Sequence, residues 1–362
     1  MSEISGGPLK AILVNSATKT TCDIGVFAHN EQDGIAALLG ELARQDLFDD
    51  PILDLRVHIL ANGCTDATVG RANGAIAELP ATVGNRIAVL DLELGGKSRT
   101  VHRFIHDIAR RDATILGFMD ADIVLPQADT IRRMIAALQD RPKLQAFTSC
   151  PIKDVVHDQL PTGLVGRIIG ASGGGLADFK TAICGQLFVM RSAMARQIGL
   201  PAGLPVEDGF MRAMMLTDLL SAPENFDRID GDEAIYHVYE SIRTIPELIR
   251  HQVRIVIGSA INAVLFAKIR REAGDLDAAH ALLMRAAVDE NWLPDVIKAE
   301  LPKWPYGYVP LHFLTWRVKA FFAGSQKSLR RFALLLLGFG FDFVVYVLAS
   351  LRMMFRPSAG FW

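Results

Sequence analysis

The chain has 362 residues, 50% of them hydrophobic and 22% charged, so it holds enough apolar material for one large core or two modest ones and is not a disordered chain. A net charge of -2 excludes a binder of nucleic acid over its whole surface, because neutralising phosphates takes Lys and Arg clustered on a docking face. Cys22, Cys64, Cys150 and Cys184 lie far apart with no CxxC or Cys/His ligand spacing, which excludes a disulfide scaffold and a zinc site and leaves reduced cytosolic thiols.

Met1 to Thr21 holds no basic stretch followed by an apolar run, so no signal peptide is expected. From Asp23 the chain alternates short apolar runs, turns and helix-period segments, the pattern of a parallel α/β sheet. The run Ile24 to Ala28 precedes a helix whose apolar face is Ile35, Leu38, Leu39 and Leu42, with Asn30 as its expected N-cap. Leu55 to Leu60 turns through Asn62-Gly63 into a helix near Thr68. Ile87 to Leu92 leads through Gly95-Gly96 to a helix with Val101, Phe104, Ile105 and Ile108 on one face. Thr114 to Met119 ends in Asp120-Ala121-Asp122, and a helix bearing Ile131, Met134, Ile135 and Leu138 follows. Between Pro151 and Asp178 the periodicity fades and glycine accumulates at Gly173-Gly174-Gly175, which predicts a mobile loop or a change of sheet. Met211, Met214 and Met215 read as core. A helix resumes after Pro246 with Ile249, Val253, Val256, Ile257, Ala260, Ile261 and Val264 as its stripe, and another covers Leu276 to Val288.

From Leu301 to Trp362 eight Lys and Arg stand against Asp342 alone, a net +7. Phe332 to Leu351 is apolar for about 20 residues, long enough to cross a bilayer, and Arg330-Arg331 and Arg352 flank it. Asp342 in its middle opposes a full span, since a carboxylate at bilayer depth costs a few kcal/mol, so spanning and re-entrant paths both stay open. A buried core helix is the bland alternative, although such helices seldom close a chain. Trp304, Tyr306, Tyr308, His312 and Trp316, with Leu311, Phe313, Leu314, Phe321 and Phe322, have the composition of an interfacial aromatic belt and a surface-lying helix.

Ligands of open parallel sheets bind beyond the C-terminal strand ends. Those ends are Asn30-Glu31, Asn62 to Asp66, Gly95-Gly96-Lys97 and Asp120-Ala121-Asp122. The D-x-D pattern recurs at Asp230/Asp232 and Asp275/Asp277, but only Asp120/Asp122 follows an apolar run, Ile115 to Met119, that delivers two carboxylates to the crest of the sheet. Carboxylates so spaced can hold a hard divalent cation that bridges a diphosphate.

Together these segments resemble the inverting family 2 glycosyltransferases, whose nucleotide-sugar-binding fold is called GT-A. Phe27-Ala28-His29-Asn30-Glu31 is similar to the family's P-A-Y-N-E opening and Ala61-Asn62-Gly63-Cys64-Thr65-Asp66 to its D-D-G-S-T-D segment. Gly96-Lys97 with Val101-His102 resembles G-K-x-x-x-L-N, and Asp120-Ala121-Asp122 resembles the metal motif. Cys184-Gly185-Gln186 to Arg191 is similar to the acceptor-side G-x-x-x-x-x-R strand, Val206-Glu207-Asp208 to the acidic pair that supplies the base, and His251 to Gly258 to Q-R-x-R-W-x-x-G. The matches keep the family's order over residues 22 to 258. Ala61 replaces an acid, which hands base recognition to Asn62. Ile255 replaces the tryptophan, and His251 and Gln252 replace Gln and Arg, all of which argues against a processive polysaccharide synthase.

The resemblance implies a GT-A catalytic domain over residues 1–260, a helical connector over 261–300 and an interfacial, transmembrane or re-entrant anchor over 301–362. It implies inverting displacement from a nucleotide-sugar donor, a UDP-sugar being favoured, with Mg2+ or Mn2+ on Asp120 and Asp122. Asp208 is the expected base with Glu207 beside it. Ala28, Asn30, Glu31, Asn62, Asp66, Lys97, Asp120, Ala121 and Arg254 are expected around the donor, and His251, Gln252, Arg254 and Gly185 around the acceptor and diphosphate. Taken singly, Asp208 also suits a helix start by its charge alone, Lys97 also reads as a solvated cation, and Arg254 within an apolar stripe calls for a partner. The anchor points to a membrane lipid or lipid-linked acceptor at an anionic surface, with the catalytic domain on the cytosolic face of the cytoplasmic membrane. A membrane-bound glycosyltransferase of exopolysaccharide or cell-envelope synthesis with a non-lipid acceptor, and a sugar-nucleotide-binding scaffold without turnover, are the competing readings. A nucleotidyltransferase would need a basic glycine-rich loop where His29 to Asp33 stands.

Overall fold

The computed structural model describes residues 19–159, 178–301, 308–323 and 328–355. Gly173 to Gly175, Lys303, Trp304, Tyr306, Lys327 and Arg356 lie outside the described residues. The strands are β1 Thr20–Ala28, β2 Leu53–Asn62, β3 Ile87–Leu92, β4 Ile115–Asp120, β5 Ile123–Val124, β6 Ala146–Lys153, β7 Leu187–Arg191 and β8 Ile229–Tyr239. The main helices are α1 Ile35–Ala43, α2 Thr68–Glu78, α3 Lys97–Arg103, α4 Thr130–Asp140, α5 Glu207–Leu216, α6 Ile245–Glu272, α7 Leu276–Val288, α8 Trp292–Glu300, α9 His312–Ala323 and α10 Leu329–Phe355.

One sheet runs in the order β3-β2-β1-β4-β7-β6-β8-β5. Its first four strands are parallel, as the sequence pattern predicts, and their register puts Phe27 opposite Asp120 and Ala28 opposite Ala61, so the polar strand ends form one crest. A strand covered on both faces is written as a continuous apolar run, and Cys22 to Ala28 is buried at every position. The rest of the sheet departs from the parallel expectation. β7 runs antiparallel to β4 and β6, making the sheet mixed.

The two other D-x-D triplets are structural. Asp230 and Asp232 lie at the start of β8, which runs parallel to β6 and so begins at the end of the sheet opposite the crest. Asp275 caps α7 by accepting from the Ala278 N–H at 2.8 Å. Asn30 is not the cap of α1, which begins after Gly34. It sits instead at φ 58°, and its Oδ1 accepts from the Thr65 N–H at 2.8 Å, tying the first crest loop to the second.

On one face of the sheet α1, α2 and α4 cover Val57, Ile59 and Met119; on the other, Phe104, Phe118 and Phe188 share a core with Phe210 of α5 and with residues of α6 and α7. Phe118 stacks on Phe188 at 4.5 Å and meets Phe104 edge-on at 5.5 Å. Burial of each such side chain is worth about 1.5–3 kcal/mol over exposure.

α6 starts with a capping box, Thr244 with Glu247, and with Pro246 in its first turn. The division expected between residues 260 and 261 falls inside this continuous helix, so catalytic domain and connector share one rod. α10 joins the same core through Val345, Ala349 and Met353. The segment expected to be a separate anchor is therefore packed on the catalytic domain along part of its length, while Leu329, Leu334, Leu336 and Leu337 stay exposed.

Candidate active site

The crest supplies the first carboxylates. β4 ends at Asp120, whose backbone N–H donates to the Gln186 carbonyl across the β4–β7 seam at 2.8 Å and thereby brings Gly185 alongside. Ala121 is buried, and its N–H donates to the Phe27 carbonyl at 3.0 Å, so the turn that presents Asp122 to solvent is fastened to β1. Ala28 is likewise buried. Both alanines contribute backbone and close packing.

Opposite the crest, α5 opens with Glu207 and Asp208 in its first turn, where unpaired backbone N–H groups favour negative charge. Lys97, the first residue of α3, lies between the two acidic groups. Its Nζ sits 2.7 Å and 2.8 Å from the two Asp120 oxygens and 3.4 Å from Glu207 Oε1. Asp208 Oδ1 accepts from the Gly209 N–H at 2.7 Å. Its Oδ2 faces Gly185, where an added Cβ would lie 2.8 Å away, so the glycine expected on the acceptor side is what leaves room for the acid. Lys97, Glu207, Asp208 and Gly185 line one small cleft whose apolar wall includes Phe27, Phe118 and Phe188.

The electrostatics follow from crowding acids where little water enters. Burial pushes Asp208 up to about 6, with Glu207 adding to the rise and Lys97 and Arg254 opposing it. Burial pushes Asp120 to about 6 against the pull of Lys97, with Asp122 adding to the rise. Burial, then Asp122, Asp66, Asp120 and Glu240, push Glu31 to about 7. Burial by itself would lower the Lys97 ammonium, but Asp120 and Glu207 outweigh it and hold it charged. The site thus has more carboxylate than its own cation neutralises.

Arg254 comes from α6; it makes no ion pair among the described residues, and its charge is felt by Asp208 and His251. His251 is lowered by burial and by that same Arg254, and Gln252 stands partly buried beside them.

Two expected donor residues also hold the crest loops together. Asn62, expected to read the base, is fully buried; its Oδ1 accepts from Thr100 Oγ1 at 2.9 Å and its backbone carbonyl faces His29 Nδ1 at 2.7 Å. β2 runs two residues beyond the apolar run Leu55 to Leu60, which carries Asn62 into the sheet opposite Leu92. Asp66 lies just before α2 and accepts from the Thr68 N–H at 3.0 Å and from the Gln32 N–H at 3.2 Å. Glu31 keeps its place at the crest, its N–H donating to Thr68 Oγ1 at 2.7 Å.

Sequence reasoning missed Glu240. It follows Tyr239, which pairs with Ile123, so β8 sets a further acid beside Asp122. It also missed Asn262, a buried polar residue eight positions after Arg254 on the same helix. Its signal was a polar residue recurring at helical spacing within an apolar stripe.

Residues 23–191 match the family model described as glycosyl transferase family 2. Among solved structures, the chain is similar to the mannosyltransferase PcManGT from Pyrobaculum calidifontis, solved in complex with GDP-Man and Mn2+, at 16% identity and a TM-score of 0.52 over 94% of this chain and 88% of that one. It is also similar to glucosyl-3-phosphoglycerate synthase from Mycobacterium tuberculosis, solved with Mn2+, UDP-glucose and phosphoglyceric acid, at 16% identity and a TM-score of 0.44 over 68% of this chain and 79% of that one. No curated protein sequence matches. The likeness to the mannosyltransferase shows a shared GT-A-like fold, and the match of residues 23–191 to the family model indicates a glycosyltransferase and supports a nucleotide-sugar donor.

Proposed function

We propose that the chain transfers a sugar, with inversion, from a nucleotide-diphosphate donor, a UDP-sugar being favoured, to a hydroxyl of a membrane lipid or lipid-linked acceptor. The observation that carries the reading is the single Lys97 ammonium linking Asp120 on the crest to Glu207 beside Asp208 on α5, which sets donor and acceptor sides of one cleft face to face. Asp208 takes the acceptor proton as the oxygen attacks the anomeric carbon, the bond from that carbon to the diphosphate breaks, and the nucleoside diphosphate leaves with the electron pair. Lys97 and Arg254 supply positive charge on the two sides of that event.

A divalent cation, Mg2+ or Mn2+, fits Asp120 and Asp122. The donors are hard carboxylate oxygens, and they stand in a site whose acids outnumber its cation. Among the described residues no group of three or more His, Cys, Asp or Glu converges as a ligand set, so the remaining ligands would come from the diphosphate and water. Bound there, the cation would neutralise the departing diphosphate. Asp122→Ala is expected to abolish transfer and metal-dependent nucleotide binding with the fold intact. Nucleotide affinity that is the same with and without chelator overturns the metal assignment.

The membrane part of the reading is supported by α10, whose exposed side carries Leu329, Leu336, Leu337, Val344, Leu348 and Phe355. Basic residues along the tail suit an anionic surface, and the reading takes the catalytic domain to face the cytosol, where nucleotide sugars are found. Asp342, which opposed a full span in the sequence, is paired with Arg317 of α9 at 2.7 Å. Mass spectrometry of lipids from cells with and without the protein reads acceptor and added sugar together; unchanged lipids overturn the lipid-acceptor reading.

A further inference from the structure

α6 carries Arg254, Gly258 and Asn262 at four-residue spacing, one row along the helix. That row faces the start of α5. A Cβ on Gly258 would stand 2.1 Å from Val206 Cγ2, so Val206, the residue preceding Glu207, rests directly on the α6 backbone. One turn on, Asn262 Nδ2 donates to the Val206 carbonyl at 3.2 Å, the same carbonyl that receives the Phe210 N–H at 3.4 Å as α5 begins. One turn back, the charge of Arg254 reaches Asp208.

Asn262 is only 6% exposed, and its Oδ1 has no hydrogen-bond partner among the described residues. A leucine would fill the place without a buried carbonyl oxygen left unpaired, so packing alone does not account for an amide here. We propose that Asn262 is a positioning residue for the general base: by holding the Val206 carbonyl it fixes the first turn of α5, and with it the direction in which the Asp208 carboxylate enters the cleft over Gly185. Gly258 is the complementary device, since it lets Val206 come close enough for the hydrogen bond. The inference rests on Asp208 being the base.

The test compares Asn262→Leu, Gly258→Ala and Asp208→Asn in the full chain, with saturating donor and Mn2+, across pH 5 to 8. Asn262→Leu removes the hydrogen bond and the unpaired oxygen together, so its thermal midpoint should match or exceed the parent's. Its kcat should fall about tenfold or more, because small misplacements of a reacting group are costly, while donor KM stays within about twofold. The acid limb of its kcat profile should move to lower pH as the loosened carboxylate meets more water. Gly258→Ala, which keeps the amide but pushes Val206 away, should show the same split between kcat and KM and reads the displacement independently. Parental kcat and acid limb in Asn262→Leu, alongside an inactive Asp208→Asn, overturn the positioning role and leave the base in place. An active Asp208→Asn removes the base assignment and the inference with it.

Discussion

α6 and α10 are nearly interchangeable as strings of letters and opposite as objects. Both are long and apolar enough to cross a membrane, with mean hydropathies of 1.4 and 2.3, yet half of the first window is buried in the protein against 11% of the second. The difference lies in what each helix does with its polar residues. α6 turns Arg254 and Asn262 toward α5 and the cleft, and its apolar remainder is core. α10 turns Asp342 inward to Arg317, which lies against Gly338, and leaves a continuous apolar face outside. Hydropathy measures how much a helix avoids water; the placement of its few charges decides what it meets instead.

The sharpest way to break this comparison is the same substitution in both helices. Ile257 is 2% exposed and Leu337 73%. Ile257→Glu puts an unpaired charge into the core, and loss of the cooperative unfolding transition by circular dichroism is expected. Leu337→Glu should leave that transition unchanged and instead release the protein from anionic vesicles in flotation, by tenfold or more, since a charge in the apolar layer costs up to about 3 kcal/mol. If Leu337→Glu unfolds the chain, or floats as well as the parent, α10 is not a lipid-facing helix.

The cleft should respond next. Asp208→Asn keeps shape but cannot take a proton, so transfer should fall about a hundredfold or more while donor binding survives in equilibrium titration. In the parent, burial pushes Asp208 up to about 6, so kcat/KM should drop as pH falls through about 6, where the base becomes protonated. Stability should move the other way. Asp120 and Asp208 are both raised above the ordinary value of 3.8, so their contribution to folding is full below that value and is lost as pH rises through about 6. Activity and thermal midpoint that rise together between pH 5 and 7 contradict the buried-acid account.

How much of this was legible in the sequence varied with the physics of each element. β1 to β4 are built on short, mainly apolar runs with polar tips, and their crest, including Asp120, Lys97 and Glu31, stands at the strand ends that the pattern marks. Asn62 and Asp66 read as ligand-facing tips because each is a polar residue after an apolar run; the partners they also have, Thr100 and Thr68, come from helices whose approach no local pattern encodes. β6 and β8 escaped notice for a related reason. Their buried positions include Thr148, Ser149 and His237, polar residues satisfied by one another and by the Leu187 carbonyl and Cys184 N–H of a neighbouring segment. Asn262 stands out as a polar residue in an apolar stripe, but one amide in such a helix carries no signal of which carbonyl it will meet.

The smallest effect should come from the ion pair that lets α10 be apolar outside and charged within. Arg317 and Asp342 meet at 2.7 Å with side chains 27% and 10% exposed, on helices that pack side by side. In water such a pair contributes about 1 kcal/mol at most; covered by lipid, breaking it leaves a charge with neither partner nor solvent, which costs more. Arg317→Met and Asp342→Leu should therefore each reduce vesicle binding a few-fold, with donor hydrolysis untouched because neither residue approaches the cleft. The double variant should recover most of the loss, since it removes both charges at once and the coupling between the two sites is what the cycle reads. Purely additive losses would mean that each residue acts alone, with Arg317 touching headgroups and Asp342 merely capping the packing of the two helices, and the hairpin would then be held together by its apolar contacts instead of by charge.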